Sequence, residues 1–423
     1  MTKRKALRGA SPGLGGTPLA RSSRRDWCLG AAAWGVGLCT GLSALPLAHA
    51  TPRSLMARLP GWEPESSAGP LGCSQGGVGP GYALALADRW ELFKARFTRT
   101  AGAGELRVVD LANAGVSHSE GQGVGMLVAQ ATGDRASFEA LWRFCQHMRN
   151  AQGLLAWRWE PAHGVQRDPN NASDGDLYVA WALALAGSRW ARPEWTSAAG
   201  QILLALRTHC VKESRSKAVL LPGAVGFDNP DLVANPSYWV LPALKDLGKL
   251  DEPAIWAKVG RDSLSLMAAL RFGPQQLPAD WAILTDPAVP WPQRPARFGY
   301  EAIRVPLFLA WAEERRHPAL LSCAAALRSP GFAAWQSLTG PERAGWLAPA
   351  GFEAIACLVR TAVFGQPLRL ANIDDDYYSS SLTLLTCLAL SDLRISEGDT
   401  AIRVTRATPR ATSSPTATGR TTC

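Results

Sequence analysis

The feature that most constrains this chain is a helical spacing of apolar residues, which recurs from about residue 84 to residue 393. Phe138, Leu141 and Cys145, for example, are spaced as along one face of an amphipathic helix. Similar runs begin at Leu177 and Trp195 and lie near 237–248, 253–270, 302–315, 317–327, 351–363 and 378–392. The best strand signal is the short run 106–109. The pattern predicts an all-α fold of ~10–12 helices, packed as one toroid or barrel with few short strands.

Residues 1–50 have the features of a bacterial export signal. Two arginines in segment 23–29 precede the apolar run 29–47, and residues 48–50 (Ala-His-Ala) give the small-x-small pattern of a cleavage site. The alternative is a retained membrane anchor, but Gly, Ser and Thr dilute a run that is only about as long as a spanning helix. We therefore expect a twin-arginine signal peptide, cleavage near Thr51, no stable membrane span afterwards, and a periplasmic or secreted protein.

Two further segments flank the helical body at 84–393. Residues 51–83 are rich in Gly, Pro and Ser and predict an irregular lead-in. Residues 394–423 form a Thr/Ser/Arg-rich tail without a hydrophobic pattern, which predicts disorder.

The positive charge of the chain lies mainly outside the helical body. The formal net charge is +9, but residues 1–50 alone contain seven Lys or Arg against one Asp, and four Arg lie between residues 403 and 420. The body is therefore close to neutral, which suits an uncharged ligand better than a polyanion. We expect no nucleic-acid partner.

The nine cysteines are scattered, without the paired spacing of a zinc site or of a disulfide framework. Cys145, Cys210, Cys357 and Cys387 fall on apolar faces of predicted helices, where a free thiol packs as a small hydrophobe. We expect neither a structural metal nor a fold that depends on disulfides.

Polar residues cluster at the starts of predicted helices. Glu120 precedes three glycines within residues 121–125, directly before an apolar helical run. Each glycine inside a helix costs ~1 kcal/mol, so these glycines indicate a close backbone approach or an unusual turn. A carboxyl group at this junction can face a cleft. The alternative is a helix-start carboxylate that favours the helix dipole.

Two further clusters occupy similar positions. Segment 168–176 holds three Asp and two Asn before an amphipathic helix, more than one N-cap requires. Calcium binding is an alternative there, although the spacing is not that of an EF-hand. Glu301 and Arg304 are three residues apart and can share a helix face, either as a surface ion pair or as part of a site.

Together these segments resemble a known family. Segments 119–126 (Ser-Glu-Gly-Gln-Gly-Val-Gly-Met) and 172–176 (Ala-Ser-Asp-Gly-Asp) look like the two signatures of glycoside hydrolase family 8. Within it, the chain is most similar to the periplasmic endoglucanases that accompany bacterial cellulose synthesis. Further motifs fit the family in the same order at 155–159, 235–238, 300–305 and 376–378. The resemblance covers about residues 84–392.

The resemblance implies an (α/α)6 barrel with a substrate groove across one end, and inverting hydrolysis of β-1,4-glucan by two carboxylic residues without a metal or other cofactor. Glu120 would be the acid that protonates the leaving oxygen. Glu301 would be the carboxylate that activates water. Because an inverting reaction forms no glycosyl-enzyme, we expect Asp174 to bind and distort the sugar at the point of cleavage.

The other site residues are expected to surround these carboxylates. The substrate-binding residues implied or favoured are Tyr300, Arg304, Tyr378, Trp157, Trp159 and Asp176, with Trp281 and Trp291 as further candidates for stacking on sugar rings. Tyr300, Arg304 and Tyr378 are expected to position Glu301 and its water. We expect a monomer whose partners are a β-glucan and the complex that synthesises cellulose.

Position 301 departs from the family pattern, which is Tyr-Asp-Ala-x-Arg, because Glu301 is one methylene longer. Inverting sites keep the two carboxyl groups about 6.5–9.5 Å apart, and a displacement of ~1 Å can cost ~100-fold in rate. Two alternatives therefore stay open. One is the same mechanism on chitosan, xylan or mixed-linkage glucan, and the other is a glucan-binding protein with weakened catalysis.

Overall fold

The structure, a computed structural model, describes residues 80–393 except 166–167 and 371. The predicted signal peptide at 1–50, most of the lead-in at 51–83 and the tail at 394–423 lie outside the described residues. Within the described part, no helix combines the length and the apolar character that a membrane span requires.

Helices dominate this part of the chain, as the apolar spacing predicts. Eleven α-helices run through the described residues: α1 (Pro80–Phe97), α2 (Ser119–Thr132), α3 (Arg135–Cys145), α4 (Ser173–Arg189), α5 (Pro193–Cys210), α6 (Leu241–Leu247), α7 (Pro253–Ala269), α8 (Arg304–Trp311), α9 (Pro318–Ala326), α10 (Ala350–Phe364) and α11 (Tyr377–Leu393). Asp134 caps the start of α3, where its side chain accepts the Ser137 N–H. Helix α8 is shorter than the predicted run 302–315 at both ends, because turns occupy residues 300–303 before it and residues 312–313 after it.

The helix contacts close into a ring. Helices α2, α4, α6, α8 and α11 pack in succession, and α11 returns to α2. These helices are buried on nearly all sides; every residue of α8 is buried, for example. Helices α1, α3, α5 and α7 instead bury one face against this ring, with α3 against α2 and α5 against α4. A helix that is apolar all round belongs in the interior, whereas an amphipathic helix belongs at the surface.

Short antiparallel strands form parts of the connections between helices. In the described residues they are β1 (Thr98–Gly102) with β2 (Glu105–Val108), β3 (Ser117–His118) with β4 (Arg158–Trp159), β5 (Val211–Ser214) with β6 (Lys217–Leu220), β8 (Arg271–Phe272) with β9 (Leu277–Pro278), β12 (Arg297–Phe298) with β13 (Gln336–Ser337), and β10 (Ala282–Ile283) between β7 (Val233–Ala234) and β11 (Val289–Pro290). The strand predicted at 106–109 corresponds to β2. The strands that precede helices, such as β3 and β12, fix where those helices begin.

Five free cysteines lie in the described residues, and all are buried: Cys145, Cys210, Cys323, Cys357 and Cys387. The predicted burial of Cys145, Cys210, Cys357 and Cys387 on apolar helix faces is confirmed. They fill the interior between helices as small apolar groups.

The glycines of α2 let neighbouring helices approach its backbone. A β-carbon at Gly121 would collide with the ring of Tyr377 in α11. A β-carbon at Gly123 would collide with the side chain of Tyr178 and lie 3.0 Å from the backbone nitrogen of Val179 in α4. The close backbone approach predicted from these glycines is therefore confirmed, and it brings the starts of α2, α4 and α11 together.

We predict that Gly123→Ala lowers the free energy of unfolding by ~1–3 kcal/mol, because the added methyl group must displace α4. Gly260→Ala in α7 is the matched control, since a methyl group added there would meet no neighbouring atom within 4 Å. There, the gain in helix propensity should stabilise the protein by up to ~1 kcal/mol. Thermal unfolding of the two variants checks this, and equal midpoints would contradict the role given to Gly123.

Candidate active site

The side chain of Arg304 joins three carboxylates at one end of the ring. It is fully buried at the first position of α8. Its Nη1 atom contacts the Glu120 carboxylate and lies 3.1 Å from Oδ2 of Asp174. Its Nη2 atom contacts the Glu301 carboxylate and donates to the Ser237 hydroxyl at 3.0 Å. Residues far apart in the chain therefore meet on one guanidinium group.

Helix starts place two of these carboxylates. Glu120 is the second residue of α2 and Asp174 is the second residue of α4, and both are almost completely buried. The backbone N–H groups of a first helical turn point toward the site, and the helix dipole favours negative charge there. The Oδ1 atom of Asp174 accepts the Gly175 N–H at 2.8 Å, in agreement with this local arrangement.

The third carboxylate, Glu301, lies in the turn at residues 299–303, between β12 and α8. Asn235 donates to its Oε2 atom at 3.4 Å, and Arg304 contacts the same oxygen. The Tyr378 hydroxyl donates to the carbonyl of Tyr300 and so ties α11 to this turn. Because Arg304 is fully buried, the alternative of a helix-surface ion pair with Glu301 is wrong.

Two tyrosine rings border the guanidinium. The centroids of Tyr238 and Tyr378 lie 5.4 and 6.0 Å from the Arg304 guanidinium carbon. Burial opposes the charge of Arg304, but Tyr378 and the three carboxylates outweigh it and hold the pKa of Arg304 well above its usual range. Arg304 is therefore a permanent positive charge at the centre of the site.

Asp176 lies apart from this cluster, although it belongs to the same motif as Asp174. It is fully buried; its Oδ1 accepts the Leu155 N–H at 2.8 Å and its Oδ2 accepts from Asn171 at 2.7 Å. This geometry does not support the predicted contact of Asp176 with substrate, because both carboxylate oxygens accept hydrogen bonds from other residues of the protein. The side chain instead joins the loops at residues 155 and 171.

Burial raises the pKa of Asp176 to about 7, although its bonds to Leu155 and Asn171 and the charge of Arg149 oppose that shift. The folded protein therefore holds this proton more tightly than the unfolded chain does. The contribution of Asp176 to stability is accordingly greatest at acid pH and is lost as the pH rises through about 7.

A row of stacked rings adjoins the start of α2. The half-buried ring of Trp157 stacks on His118 with centroids 5.7 Å apart, and His118 stacks on Tyr377 at 6.0 Å. The indole N–H of Trp157 donates to Asp168 at 2.7 Å. Trp159 is more enclosed, because the Arg107 guanidinium lies 4.9 Å from its ring centroid and Phe144 packs against it edge-on.

A second aromatic group adjoins Arg304 through Tyr238. Trp281 stacks on Phe227 with centroids 5.9 Å apart and lies 5.9 Å from Tyr238 and 5.8 Å from Trp291. Trp281 is half-buried, whereas Trp291 is buried. The two tryptophans therefore lie together, and Tyr238 connects them to the guanidinium.

Sequence reasoning missed one exposed aromatic residue beside the site. Trp346 is 46% exposed, and its indole N–H donates to the Tyr300 hydroxyl at 3.4 Å. It lies in the connection between α9 and α10, where neither a helical pattern nor a family motif marks it. The buried Asp280 was also missed, and Asn235 and Ser237 appeared only as part of a motif without assigned roles.

Residues 81–392 match the family model described as Glycosyl hydrolases family 8. The chain belongs to this family. The match spans the whole ring of helices and every site residue described above, and the resemblance to glycoside hydrolase family 8 is confirmed. The protein is accordingly a glycosidase.

Individual family 8 proteins are similar over most of their length. A probable endoglucanase of Novacetimonas hansenii is 37% identical over 73% of this chain and 92% of its own. The solved structure of the family 8 endoglucanase Cel10 of Klebsiella pneumoniae covers 72% of this chain and 99% of its own at 35% identity, with a TM-score of 0.67. The endo-β-1,4-glucanase CMCax of Acetobacter xylinum covers 73% and 99% at 34% identity, with a TM-score of 0.66.

We predict that Arg304→Lys in this family 8 enzyme lowers the free energy of unfolding by ~3–5 kcal/mol, because a single ammonium nitrogen cannot reproduce the contacts that Nη1 and Nη2 make from two separate positions. The control is Arg135→Lys, at an exposed pair with Glu139, where the change should stay within ~0.5 kcal/mol. Chemical denaturation of both variants measures the difference. Equal stability of the two would show that the three carboxylates do not depend on the guanidinium fork.

Proposed function

We propose that this protein is an inverting endo-β-1,4-glucanase that acts on cellulose-like chains. One observation carries the proposal: Glu120 and Glu301 contact the two different nitrogen ends of the buried Arg304 guanidinium. The shared guanidinium thus brings the two carboxyl groups together, and an inverting glycosidase needs an acid and a base at the same sugar. Glycosidic chemistry of this type requires two carboxyl groups of opposite function.

In the proposed reaction, the Glu120 carboxylic acid protonates the glycosidic oxygen as its bond to the anomeric carbon breaks. Glu301 removes a proton from a water molecule, whose oxygen bonds to the anomeric carbon from the opposite face of the sugar. The product has inverted configuration, and proton exchange with solvent restores both carboxyl groups.

The charges of the cluster are compatible with an acid that carries a proton. Three carboxylates share the single positive charge of Arg304 in a buried site. Like charges buried close together favour protonation of one of them. Asp174, held on the same nitrogen as Glu120, is proposed to bind and distort the sugar between the acid and the base.

Two aromatic groups near the carboxylates support binding of an extended polysaccharide. Trp157, beside the start of α2, and Trp281, beside Tyr238, offer half-buried rings, and sugar rings stack on such surfaces. The proposed architecture is the (α/α)6 barrel of family 8, with a groove across the end where α2, α4 and α8 begin. The names of the endoglucanases of Novacetimonas, Klebsiella and Acetobacter support a β-1,4-glucan as the polymer.

The charges near the site do not select against a cationic substrate such as chitosan. Arg158 lies 5.8 Å from the Trp157 centroid, but it pairs with Glu160 at 3.1 Å. The cluster at Arg304 holds three carboxylates against one guanidinium. Chitosan, xylan and mixed-linkage glucan are therefore the alternative substrates for the same mechanism.

We further propose that the enzyme acts outside the cytoplasm. The export signal expected at 1–50 supports a periplasmic or secreted protein that meets glucan chains outside the cytoplasm. A role in trimming cellulose during its synthesis, as a monomer beside the synthase complex, follows from the resemblance to the endoglucanases of cellulose producers.

We predict that Glu120→Gln and Glu301→Gln each lower kcat on carboxymethyl-cellulose by ~10²–10⁴-fold, because each removes one proton transfer. Glu139→Gln, on the outer helix α3, is the control and should keep wild-type kcat.

Reducing-end release measures the rates, and NMR of the first product should show the α-anomer. A retained β-anomer would overturn inversion. An unchanged rate in Glu301→Gln would overturn the assigned base, and a wild type that binds cellulose without cleaving any glucan would favour the binding-protein alternative.

We predict that Trp346→Ala raises KM for long cello-oligosaccharides ~10-fold and leaves kcat nearly unchanged, because it removes ~1–1.5 kcal/mol of stacking beside Tyr300 and no reacting group. Leu204→Ala, an exposed apolar residue of the outer helix α5, is the control. Kinetics on substrates of increasing length measure the effect. Identical KM values for both variants at every length would exclude Trp346 from the groove.

A further inference from the structure

Asp280 is a buried carboxylate that the proposed chemistry does not use. It is 1% exposed and precedes the strand β10. Its Oδ1 atom accepts three backbone N–H groups of the turn that carries Glu301: those of Gly299 at 3.0 Å, Glu301 at 3.2 Å and Ala302 at 2.8 Å. A single oxygen thus fixes three points of this turn.

Arg297 holds the other side of Asp280. Its Nε atom lies 3.4 Å from Oδ2 of Asp280, and its carbonyl accepts the Asp280 N–H at 2.9 Å. The guanidinium carbon lies 5.3 Å from the ring centroid of Trp335. Because Arg297 belongs to β12, which leads directly into the turn, the carboxylate is held by the same strand whose end it fixes.

Gly299 shows how tightly this arrangement is packed. A β-carbon there would lie 3.0 Å from Cβ of Trp335 and 3.1 Å from Oδ2 of Asp280. Both distances are shorter than ordinary van der Waals contact, so a side chain at 299 would press on the carboxylate. The turn therefore has little freedom to shift relative to Asp280.

We propose that Asp280 is a positioning residue for Glu301, with Arg297 as its support. This inference rests on the proposed role of Glu301 as the base. Glutamate has one more rotatable bond than the aspartate of the family pattern, so its carboxylate can reach more positions from a given backbone. Asp280 fixes the backbone at 299–302, and Arg304 and Asn235 hold the carboxylate itself. The two sets of contacts together define one position for the oxygen that meets the water.

The electrostatics of Asp280 agree with this role. Burial raises its pKa to about 6; the Ala302 N–H and Arg297 oppose that shift, and the charge of Glu301 adds to it. Asp280 is therefore ionised at pH ~7.5, where a charged acceptor binds the N–H groups more strongly than a neutral one. The activities of the variants should therefore be compared at pH ~7.5.

The test compares Asp280→Asn with Asp262→Asn at pH ~7.5. Asp262 is the matched control, because it also accepts a backbone N–H, that of Ala218 at 2.8 Å, but in the contact of α7 with β6. We expect Asp280→Asn to lower kcat on carboxymethyl-cellulose ~10–100-fold with little change in KM, and Asp262→Asn to keep wild-type kcat. Gly299→Ala should lower kcat in the same way, and it serves as the second variant if Asp280→Asn fails to fold.

Azide distinguishes a misplaced base from a general loss of structure. It attacks the anomeric carbon without proton removal, so it needs no base but still needs the acid. Asp280→Asn alone keeps the Glu301 carboxylate where azide would bind, so azide is tested on Glu301→Ala and on the double variant Asp280→Asn/Glu301→Ala. With phenyl cellobioside, whose poor leaving group still needs the acid, azide should restore turnover equally in both, but not in Glu120→Gln, and the product should be the α-glycosyl azide.

Wild-type kcat in Asp280→Asn and Gly299→Ala beside an inactive Glu301→Ala would overturn the positioning role and leave the proposed function intact. Azide-restored turnover in Glu301→Ala beside none in the double variant Asp280→Asn/Glu301→Ala would also overturn it, because the loss in Asp280→Asn would then not be confined to the base. A wild-type protein that cleaves no β-glucan would instead overturn the proposed function itself and, with it, the assignment of Glu301.

Discussion

The arrangement of the site depends on the burial of one guanidinium group. A buried charge is strongly unfavourable unless partners surround it, and Arg304 obtains its partners from Glu120, Asp174 and Glu301. Those residues lie in three separate parts of the chain, so their backbones must converge on one point. Glycines make that convergence sterically accessible where α2 passes α4 and α11. The same ion pairs that stabilise the interior therefore bring together the groups that the proposed reaction needs.

The ring of helices explains why the polar groups lie at helix starts. Along their length, α2, α4 and α8 are buried on almost all sides, and only their ends can present polar groups to a cleft. The first turn also offers unpaired N–H groups and the positive end of the dipole, which favour carboxylates such as Glu120 and Asp174. The polar groups are thus confined to one end of the ring by the same burial that holds the helices together.

Local sequence predicts those parts of the structure that depend on neighbours in the chain. The spacing of Phe138, Leu141 and Cys145 predicts α3 because one helix face determines it. Asp174 and Asp176 show the limit of a motif, since residues two apart point about 200° away from each other around a helix, and of the two only Asp174 contacts Arg304. The approach of Arg304 to Glu120, 184 residues earlier, has no local signal, and the family resemblance assigned both residues to the site without pairing them. Trp346 and Asp280 lie in connections whose paths follow from packing, so local patterns do not reveal them.

Whether glutamate can replace aspartate at position 301 depends on how firmly the backbone around that position is held. A longer side chain moves its carboxylate outward and adds a torsion angle, and either change would displace a base that must meet a water molecule. Around Glu301, however, the backbone is held by the Asp280 carboxylate and by the Tyr378 hydroxyl, and the carboxylate is held by Arg304 and Asn235. A flexible side chain held at both ends has few conformations left to lose on binding substrate. The additional methylene is therefore compatible with catalysis as long as the turn beneath it stays fixed, which makes the support of the turn as important as the identity of the base.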